Sequence, residues 1–239
     1  MGLDRPRAAR DGPRGYLSDV HAVRDANLRA EGELTGTARD HWNTVWGKAD
    51  PDGVSWFEPC PEVSLRLIET SGVGREAAVI DVGGGGSLFT RRLLEAGFQD
   101  LTVLDISPSG LVASRGRLGP RVSEVEWIEA DVRQLDPSRK WDLWHDRAVF
   151  HFLTEPTDRA AYRQTLNRAV NPDGQVILAT FGPEGPTRCS GLDVRRYSED
   201  LLSDELGPDF SLSDSCLELH TTPGGTTQQF LYTLYRRLV

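Results

Sequence analysis

Glycines and acidic residues beside apolar runs are the first candidates for chemistry in this sequence. Residues 79–97 are VIDVGGGGSLFTRRLLEAG, an apolar run followed by four glycines and then by apolar residues at helical spacing. Glycines between a strand and a helix let the backbone approach a ligand at the carboxyl end of the strand. We expect Gly83 and Gly85 to serve this purpose; the alternative is a tight turn that binds nothing.

Three aspartates lie at or near the ends of successive apolar runs. Asp81 precedes the glycines, and Asp105 and Asp131 end the next two predicted strands. A carboxylate at the position of Asp105 can hydrogen-bond both ribose hydroxyls of a nucleoside. Asp131 can accept a hydrogen bond from an exocyclic amine, and its neighbour Val132 can pack on the purine. Because three such acids in register are not easily coincidental, they predict a nucleoside site.

Two kinds of nucleoside cofactor fit this arrangement. A dinucleotide needs a third glycine, in the pattern GxGxxG, so that the helix packs closely beneath a pyrophosphate. Leu88 stands at that position, which disfavours an NAD-dependent oxidoreductase. A cofactor without a pyrophosphate needs an acid before the glycines, and Asp81 supplies one to help position an ammonium group. A non-catalytic nucleoside-binding module stays open as a third alternative.

The pattern Asp81-x-Gly83-x-Gly85, together with Asp105 and Asp131, resembles motifs I, II and III of the class I S-adenosylmethionine-dependent methyltransferases. This resemblance implies S-adenosylmethionine as the cofactor. It also implies an α/β fold, a doubly wound Rossmann-like seven-stranded sheet with a reversed C-terminal strand and helices on both faces.

The resemblance extends from about residue 41 to the C-terminus. It includes the turn Asn-Pro-Asp-Gly at 171–174 and a C-terminal hairpin that supplies the reversed strand. Ser87 departs from the family, which usually has a third glycine there; serine is small, so we expect a weakened site at most. The cofactor-binding residues that the resemblance implies are Trp46, Asp81, Gly83, Gly85, Ser87, Asp105, Ile106, Asp131 and Val132.

Residues 41–57, HWNTVWGKADPDGVSWF, contain three of the six tryptophans. The segment looks like the N-terminus of a subgroup of bacterial enzymes of unassigned substrate, elongation-factor lysine methyltransferases and, more distantly, thiol methyltransferases. In such enzymes an aromatic stretch folds over the cofactor, and an aromatic face attracts a sulfonium by roughly 0.5–2 kcal/mol. Trp42, Trp46 and Trp56 are the candidates; the alternative is that they only hold a helix on the core.

Alternating strand and helix patterns predict the sheet that positions these residues. Strands are predicted at 77–82, 101–104, 125–128, 141–144 and 175–181, with helices at 61–70, 88–96, 110–118 and 158–170. Short links between them favour a parallel sheet covered by helices on both faces. The tail is predicted to contain a helix at 197–206 and strands at 210–220 and 228–236.

The length of 239 residues favours one domain with additions. We predict an N-terminal extension over 1–35, disordered to about residue 15 and helical from 18 to 34. A methyltransferase domain is predicted over 36–239. Within it, 36–60 is expected to form a cofactor lid and 181–197 to cap the acceptor site.

The residues that follow the fourth predicted strand are candidates for proton transfer. His145, Asp146 and His151 lie within the segment WHDRAVFHFL, and a histidine is a suitable base at neutral pH. Methyl transfer from a sulfonium is an in-line displacement, so the protein mainly aligns the nucleophile and removes its proton when needed. The alternative is structural: Asp146 pairs with Arg147, and the histidines bond to loop carbonyls.

Composition limits the partners. A net charge of −9 argues against general binding to phosphate backbones, and HDRA at 145–148 replaces the Asn/Asp-Pro-Pro-Tyr of base-methylating enzymes, so we expect no nucleic-acid partner. No apolar run approaches 18 residues, so no membrane span is expected. Three widely spaced cysteines without a CxxC pair predict no metal site and a cytoplasmic location. We expect a small-molecule acceptor with a nucleophilic O, N or S atom; the alternative is a protein lysine.

Overall fold

The computed structural model describes Met1, Gly2 and residues 38–238. Arg39–Val239 form one compact unit, and Met1–Ala38 belong to another. Apart from Met1 and Gly2, the predicted extension over 1–35, with its disordered and helical parts, lies outside the described residues.

The larger unit alternates helices and strands. Its helices are α1 (38–48), α2 (Glu62–Ser71), α3 (Phe89–Glu95), α4 (Pro108–Leu118), α5 (Pro156–Ala169) and α6 (Glu199–Leu206), and 3₁₀ helices cover Gly119–Glu124 and Phe150–Phe152. Its strands are β1 (Ala78–Val82), β2 (Asp100–Asp105), β3 (Val125–Glu129), β4 (Trp141–Arg147), β5 (Val170–Phe181), β6 (Arg188–Cys189), β7 (Leu192–Asp193), β8 (Phe210–Thr221) and β9 (Thr227–Arg237). The structure thus contains each strand and helix predicted between residues 61 and 236.

Seven strands form one sheet in the order β3-β2-β1-β4-β5-β9-β8. Strands β1 to β5 pair in parallel, whereas β9 runs antiparallel to β5 and β8 antiparallel to β9. The strand order reverses between β1 and β4, and open α/β sheets bind ligands at the carboxyl ends of the strands beside such a point. The predicted doubly wound sheet with a reversed C-terminal strand is confirmed.

Both faces of the sheet are covered by helices. Along β1, Ile80 and Val82 pack in a core layer with α5 and α6, whereas Val79 packs in the opposite layer with α2, α3 and α4. This alternation follows from the two-residue period of a strand, and every residue of β1 is buried. Asp81 therefore points to the side of α2 and α3. In the part of the chain that the structure describes, no helix combines the length and apolar character needed to cross a bilayer.

The start of α4 is fixed by its cap, which places Asp105 beside the glycine loop. Ser107 lies in extended backbone, and its hydroxyl accepts a hydrogen bond from the backbone N–H of Gly110. Pro108 occupies the first helical position, where its missing N–H costs no hydrogen bond. The chain consequently leaves β2 and turns directly into the helix at the carboxyl edge of the sheet.

The turn predicted at 171–174 lies inside β5 rather than before it. Pairing between β4 and β5 shifts from Trp141–Val170 to Leu143–Gln175, so four residues of β5 bulge out opposite one residue of β4. Asp173 adopts a φ of 63° in this bulge. The turn residues were predicted correctly, but the fifth strand was predicted to begin only after them. It begins before them because the pairing with β4 resumes across the bulge.

Candidate cofactor and active site

The glycine loop after β1 is held against the end of β2 by hydrogen bonds. The carboxylate of Asp105 accepts from the backbone N–H of Gly85 at 2.9 Å and from that of Ser107 at 2.8 Å. A Cβ at Gly85 would lie 2.5 Å from Asp105 Oδ2, so only glycine fits there. Burial raises the pKa of Asp105 to about 6, against the opposing effect of the two backbone donors.

Ser87, the departure from the family pattern, has a local role. Its hydroxyl accepts a hydrogen bond from the backbone N–H of Phe89 at 3.0 Å, at the start of α3. The first N–H groups of a helix have no partner within it, and a serine oxygen satisfies one of them. The serine therefore supports the turn into α3, and it also lines the cleft described below.

Asp81 lies beside His145, its direct partner in the pairing of β1 and β4. Its Oδ1 bonds to His145 Nδ1 at 2.9 Å, and its Oδ2 accepts from the Thr90 hydroxyl at 3.2 Å. His145 Nε2 lies 2.9 Å from the Ser64 hydroxyl oxygen, and the Phe89 ring stacks on the imidazole at a centroid distance of 3.8 Å. His145 is thus fixed on both ring nitrogens and one ring face.

Asp131, the acid predicted to receive an exocyclic amine, is already paired. The guanidinium of Arg133 contacts both of its oxygens, with an Nη2–Oδ2 distance of 2.6 Å, and also pairs with Asp158. Val132 is buried in the core and Ile106 is partly buried. The role of Asp131 toward an amine stays a prediction, and it requires the carboxylate to serve Arg133 at the same time.

The tryptophan segment covers the glycine loop. The Trp46 ring packs on Gly86 and Gly110, since a Cβ at Gly110 would lie 2.9 Å from Trp46 Cδ1 and a Cβ at Gly86 would overlap the ring. Trp56 meets Trp46 edge-on with centroids 5.7 Å apart, and Trp42 meets Trp56 at 6.0 Å. The rings therefore form one cluster over the predicted cofactor site. From the sequence, the segment could be either a lid on the cofactor or a contact that holds a helix on the core.

A cleft opens between residues 51–61 and the glycine loop. On the side of residues 51–61 it is lined by Pro51, Val54, Trp56, Phe57, Glu58 and Pro61. On the other side it is lined by Asp81, Val82, Gly83, Gly85, Gly86, Ser87, Leu88 and Phe89, and the end of β4 adds His145 and Arg147. Of the three residues predicted to be catalytic, His145 alone reaches this cleft.

Asp146 and His151 are held by structural contacts instead. Asp146 is fully buried and accepts from the Tyr162 hydroxyl at 2.6 Å and from the backbone N–H of Val149 at 2.9 Å. His151 Nδ1 accepts from the backbone N–H of Phe181 at 3.3 Å, and burial lowers the pKa of His151 to about 3. A catalytic role for these two residues stays a prediction that their contacts do not favour.

The alternative pairing of Asp146 with Arg147 is wrong. Arg147 Nη2 pairs with Glu58 at 2.9 Å, its Nε donates to the Tyr232 hydroxyl at 2.7 Å, and its Nη1 donates to the Trp56 carbonyl at 2.8 Å. Glu58 and Ser64 were missed from the sequence, because nothing local marks a residue that pairs with another far along the chain. Arg147 was considered only as a partner for its neighbour.

The buried carboxyl of Asp146 predicts a specific pH dependence of stability. Burial raises its pKa to about 6, above the value of about 3.9 for an unfolded aspartate. The folded state therefore binds more protons between these two values, and its stability is greatest below pH 4 for this group and declines as the pH rises through 6. Asp146→Asn is expected to flatten this decline, measured by urea unfolding from pH 4 to 7. Curves for variant and wild type that run parallel would contradict it.

Comparison with known proteins gives one family and a common fold. A family model described as a methyltransferase domain matches residues 79–174. Malonyl-[acyl-carrier protein] O-methyltransferase of Anoxybacillus flavithermus is 26% identical over 156 residues, which cover 63% of this chain and 57% of that protein. EEF1A lysine methyltransferase 2 of Mus musculus is 24% identical over 190 residues, covering 72% and 76%.

A solved structure resembles the whole chain. It is Burkholderia thailandensis 1,6-didemethyltoxoflavin-N1-methyltransferase with bound 1,6-didemethyltoxoflavin and S-adenosylhomocysteine. It is 22% identical, with a TM-score of 0.61, and the match covers 100% of this chain and 99% of that one. At this identity the likeness shows the shared fold. The first curated relative is matched over little more than half its own length.

A doubly wound sheet, a glycine loop at its switch point and acids at adjacent strand ends define a nucleoside-binding α/β protein. The comparisons agree with this class. Residues 79–174 match a methyltransferase domain, and the curated relatives and solved structures that the chain resembles include S-adenosylmethionine-dependent methyltransferases.

Proposed function

We propose that this protein transfers the methyl group of S-adenosylmethionine to an O, N or S atom of a small-molecule acceptor. The observation that carries the proposal is the cleft between the glycine loop and residues 51–61. One wall has the features of a cofactor site, with Asp81 and the glycines. The opposite wall contains Trp56, Phe57 and the Glu58–Arg147 pair, where an acceptor would meet the end of β4.

The residues present fit the cofactor. Gly83, Gly85 and Gly86 line the cleft without side chains that would keep a ligand from the loop backbone, and Asp105 lies at the loop's edge for a ribose. Asp81 reaches the cleft, where its carboxylate can receive an ammonium group. When bound, S-adenosylmethionine supplies a methyl group on a positively charged sulfur, which the aromatic lid favours electrostatically.

Among the described residues that line the cleft, no titratable side chain is free of a partner and available as a general base. Its titratable groups are Glu58, Asp81, His145 and Arg147, and each already has an ion-pair or hydrogen-bond partner. The protein therefore acts mainly by aligning the nucleophile and excluding water. This favours acceptors whose nucleophile needs no deprotonation at neutral pH, such as a carboxylate.

A small molecule is favoured over a protein because the cleft is covered. Residues 51–61 close one side of it, and His220 Nε2 holds that segment at the carbonyl of Ser55 over 2.9 Å. The similarity to a lysine methyltransferase supports the second candidate, since a lysine side chain is slender enough for a narrow entrance.

Segment 181–197, proposed as an acceptor cap, bonds through Arg195 N–H to the carbonyl of His151 and through Tyr197 N–H to that of Phe181.

A methyl-donor consumption screen tests the proposal. Purified protein with S-adenosylmethionine is assayed against thiols, carboxylic acids, amines and a whole-cell protein extract, with release of S-adenosylhomocysteine as the readout. We expect turnover with at least one small molecule and a preference for carboxylic acids. Labelling confined to protein in the extract would favour the lysine alternative, and tight binding of S-adenosylhomocysteine without any turnover would favour a binding module.

The lid role of the tryptophan segment gives a prediction about binding. Trp46 covers Gly86 and Gly110 through ring contacts alone, so Trp46→Ala should weaken binding of S-adenosylmethionine, whose sulfur is positively charged, about tenfold, within the range for a cation held against an aromatic face. The fold should survive. Calorimetry measures the affinity, and hydrogen exchange across 41–57 should slow when the ligand binds, since segments that open for exchange are among the less stable ones.

Trp127→Ala is the matched control for the lid. Its indole packs at the other edge of the sheet and donates to the carbonyl of Val122 at 3.1 Å, so this variant should lose stability and keep its affinity. Equal exchange across 41–57 with and without ligand, together with a Trp46→Ala variant that is unstable but binds normally, would show a core contact instead of a lid.

A further inference from the structure

Ser64, His145 and Asp81 form a continuous hydrogen-bonded chain from α2 to the wall of the cleft. Ser64 Oγ lies 2.9 Å from His145 Nε2, and His145 Nδ1 lies 2.9 Å from Asp81 Oδ1. All three residues are buried, with exposed fractions of 0%, 2% and 4%. A buried polar chain of this kind is stable when every member has its partner.

The donors and acceptors of the chain assign its protons. A serine hydroxyl carries one proton, and the described contacts of Ser64 Oγ lead to His145 alone. Donation from Ser64 to Nε2 leaves the ring proton on Nδ1, where it is donated to Asp81. A neutral imidazole with this tautomer satisfies both neighbours, and the stacked Phe89 ring, inclined by 22°, fixes the plane in which it does so.

The order serine, histidine, aspartate is that of a nucleophilic triad. In such a triad the serine faces the substrate, whereas here the aspartate end of the chain lines the cleft. Ser64 is fully buried beneath the histidine and does not line the cleft, whereas Asp81 does. A substrate therefore cannot reach the serine oxygen, which excludes acyl transfer to it. The chain can act only on what Asp81 and His145 contact in the cleft.

We propose that His145, held in one tautomer by Ser64, is a positioning residue that keeps Asp81 oriented to receive the ammonium group of the cofactor. The inference rests on the proposed function, since it assumes that Asp81 receives that group. With Oδ1 fixed by His145 and Oδ2 directed at Gly84 and Thr90, the carboxylate has a single orientation at the edge of the loop.

Two ligands that differ in the amino-acid portion test this positioning role. S-adenosylhomocysteine carries the ammonium group, and 5′-methylthioadenosine has the same nucleoside and sulfur without it. His145→Phe keeps a ring for Phe89 to stack on and removes both hydrogen bonds. It is expected to weaken binding of S-adenosylhomocysteine about 10- to 100-fold, the range for a hydrogen bond to a charged group, and to leave binding of 5′-methylthioadenosine within about twofold of the wild type.

Two further variants protect the test against simple loss of fold. His145→Asn keeps an N–H donor near the position of Nδ1 and should recover most of the affinity for S-adenosylhomocysteine. Ser64→Ala leaves the ring intact, frees its tautomer, and should weaken the same ligand by about fivefold, as for one neutral hydrogen bond. Nitrogen-15 spectra of the wild type should show His145 protonated at Nδ1 without any ligand present.

The outcomes separate the two proposals. A wild type that binds neither ligand overturns the proposed function. A wild type that binds both, with variants that lose both ligands equally or lose neither, overturns the positioning role and leaves the proposed function standing. A ring protonated at Nε2 instead of Nδ1 also overturns it, because Ser64 would then accept rather than donate.

Discussion

An alanine at Gly85 is expected to weaken binding of S-adenosylhomocysteine by about 100-fold. The new Cβ would lie 2.5 Å from Asp105 Oδ2 and 3.1 Å from the backbone Cα of Gly110. Asp105 cannot turn away, because the N–H of Ser107 holds its other oxygen at 2.8 Å. The loop itself must move, which breaks the hydrogen bond from Gly85 N–H and displaces the surface on which the nucleoside rests. Isothermal titration calorimetry measures the change.

Gly116→Ala is the matched control for this prediction. Gly116 lies in α4, and a Cβ there would have no atom within 4 Å, so the substitution should keep the affinity and stabilise the helix slightly. Circular dichroism of both variants should show the same helix content as the wild type. A Gly85→Ala variant that binds as tightly as Gly116→Ala would show that the loop does not carry the nucleoside.

The fold was predictable because its signals are local. The residues of β1 are apolar except for one acid, which is typical of buried parallel strands, and glycines follow directly. The positions of Asp81, Gly85 and Asp105 could be inferred for the same reason, since each lies at a strand end. The bulge in β5 could not, because its position depends on pairing with β4 rather than on the turn residues themselves.

The structure separates the residues predicted to be catalytic, and the strand period explains why His145 and Asp146 lie apart. β4 continues to Arg147, so His145 and Arg147 point to one face and Asp146 to the other. The first two line the cleft, whereas Asp146 bonds to Tyr162 on α5. Residues adjacent in sequence were treated as adjacent in space, which holds in a loop and fails in a strand.

The partners of these side chains could not be predicted from one sequence. Ser64 is 81 residues from His145, and it occupies a polar position in an otherwise ordinary amphipathic helix. Glu58 follows the tryptophan segment without any motif. Such pairs arise from the packing of α2 and the lid on the sheet, and no local pattern of apolar or charged residues specifies them.

Arg147 ties residues 56–58 to the sheet. It lies at the end of β4, bonds to the Trp56 carbonyl and to Glu58, and bonds to Tyr232 on β9. Its guanidinium also stacks on the Phe230 ring at 4.5 Å. Arginine suits this position because its planar guanidinium can bond to three partners at once and stays charged when it is buried.

Arg147→Met is therefore expected to lower the free energy of unfolding by about 3 kcal/mol, at the low end of the range for breaking a buried pair. The loss arises because the Glu58 carboxylate, 2.9 Å from the guanidinium, is left without its counter-charge in a largely buried place. The double variant Glu58→Gln with Arg147→Met removes that charge and should recover part of the stability, so a double-mutant cycle isolates the coupling. Arg121→Met, at the exposed pair with Glu124, is the control and should change little. A cycle with no coupling energy would show that Arg147 acts through its contacts with Tyr232 and Phe230 alone, and that the lid is held by its aromatic rings.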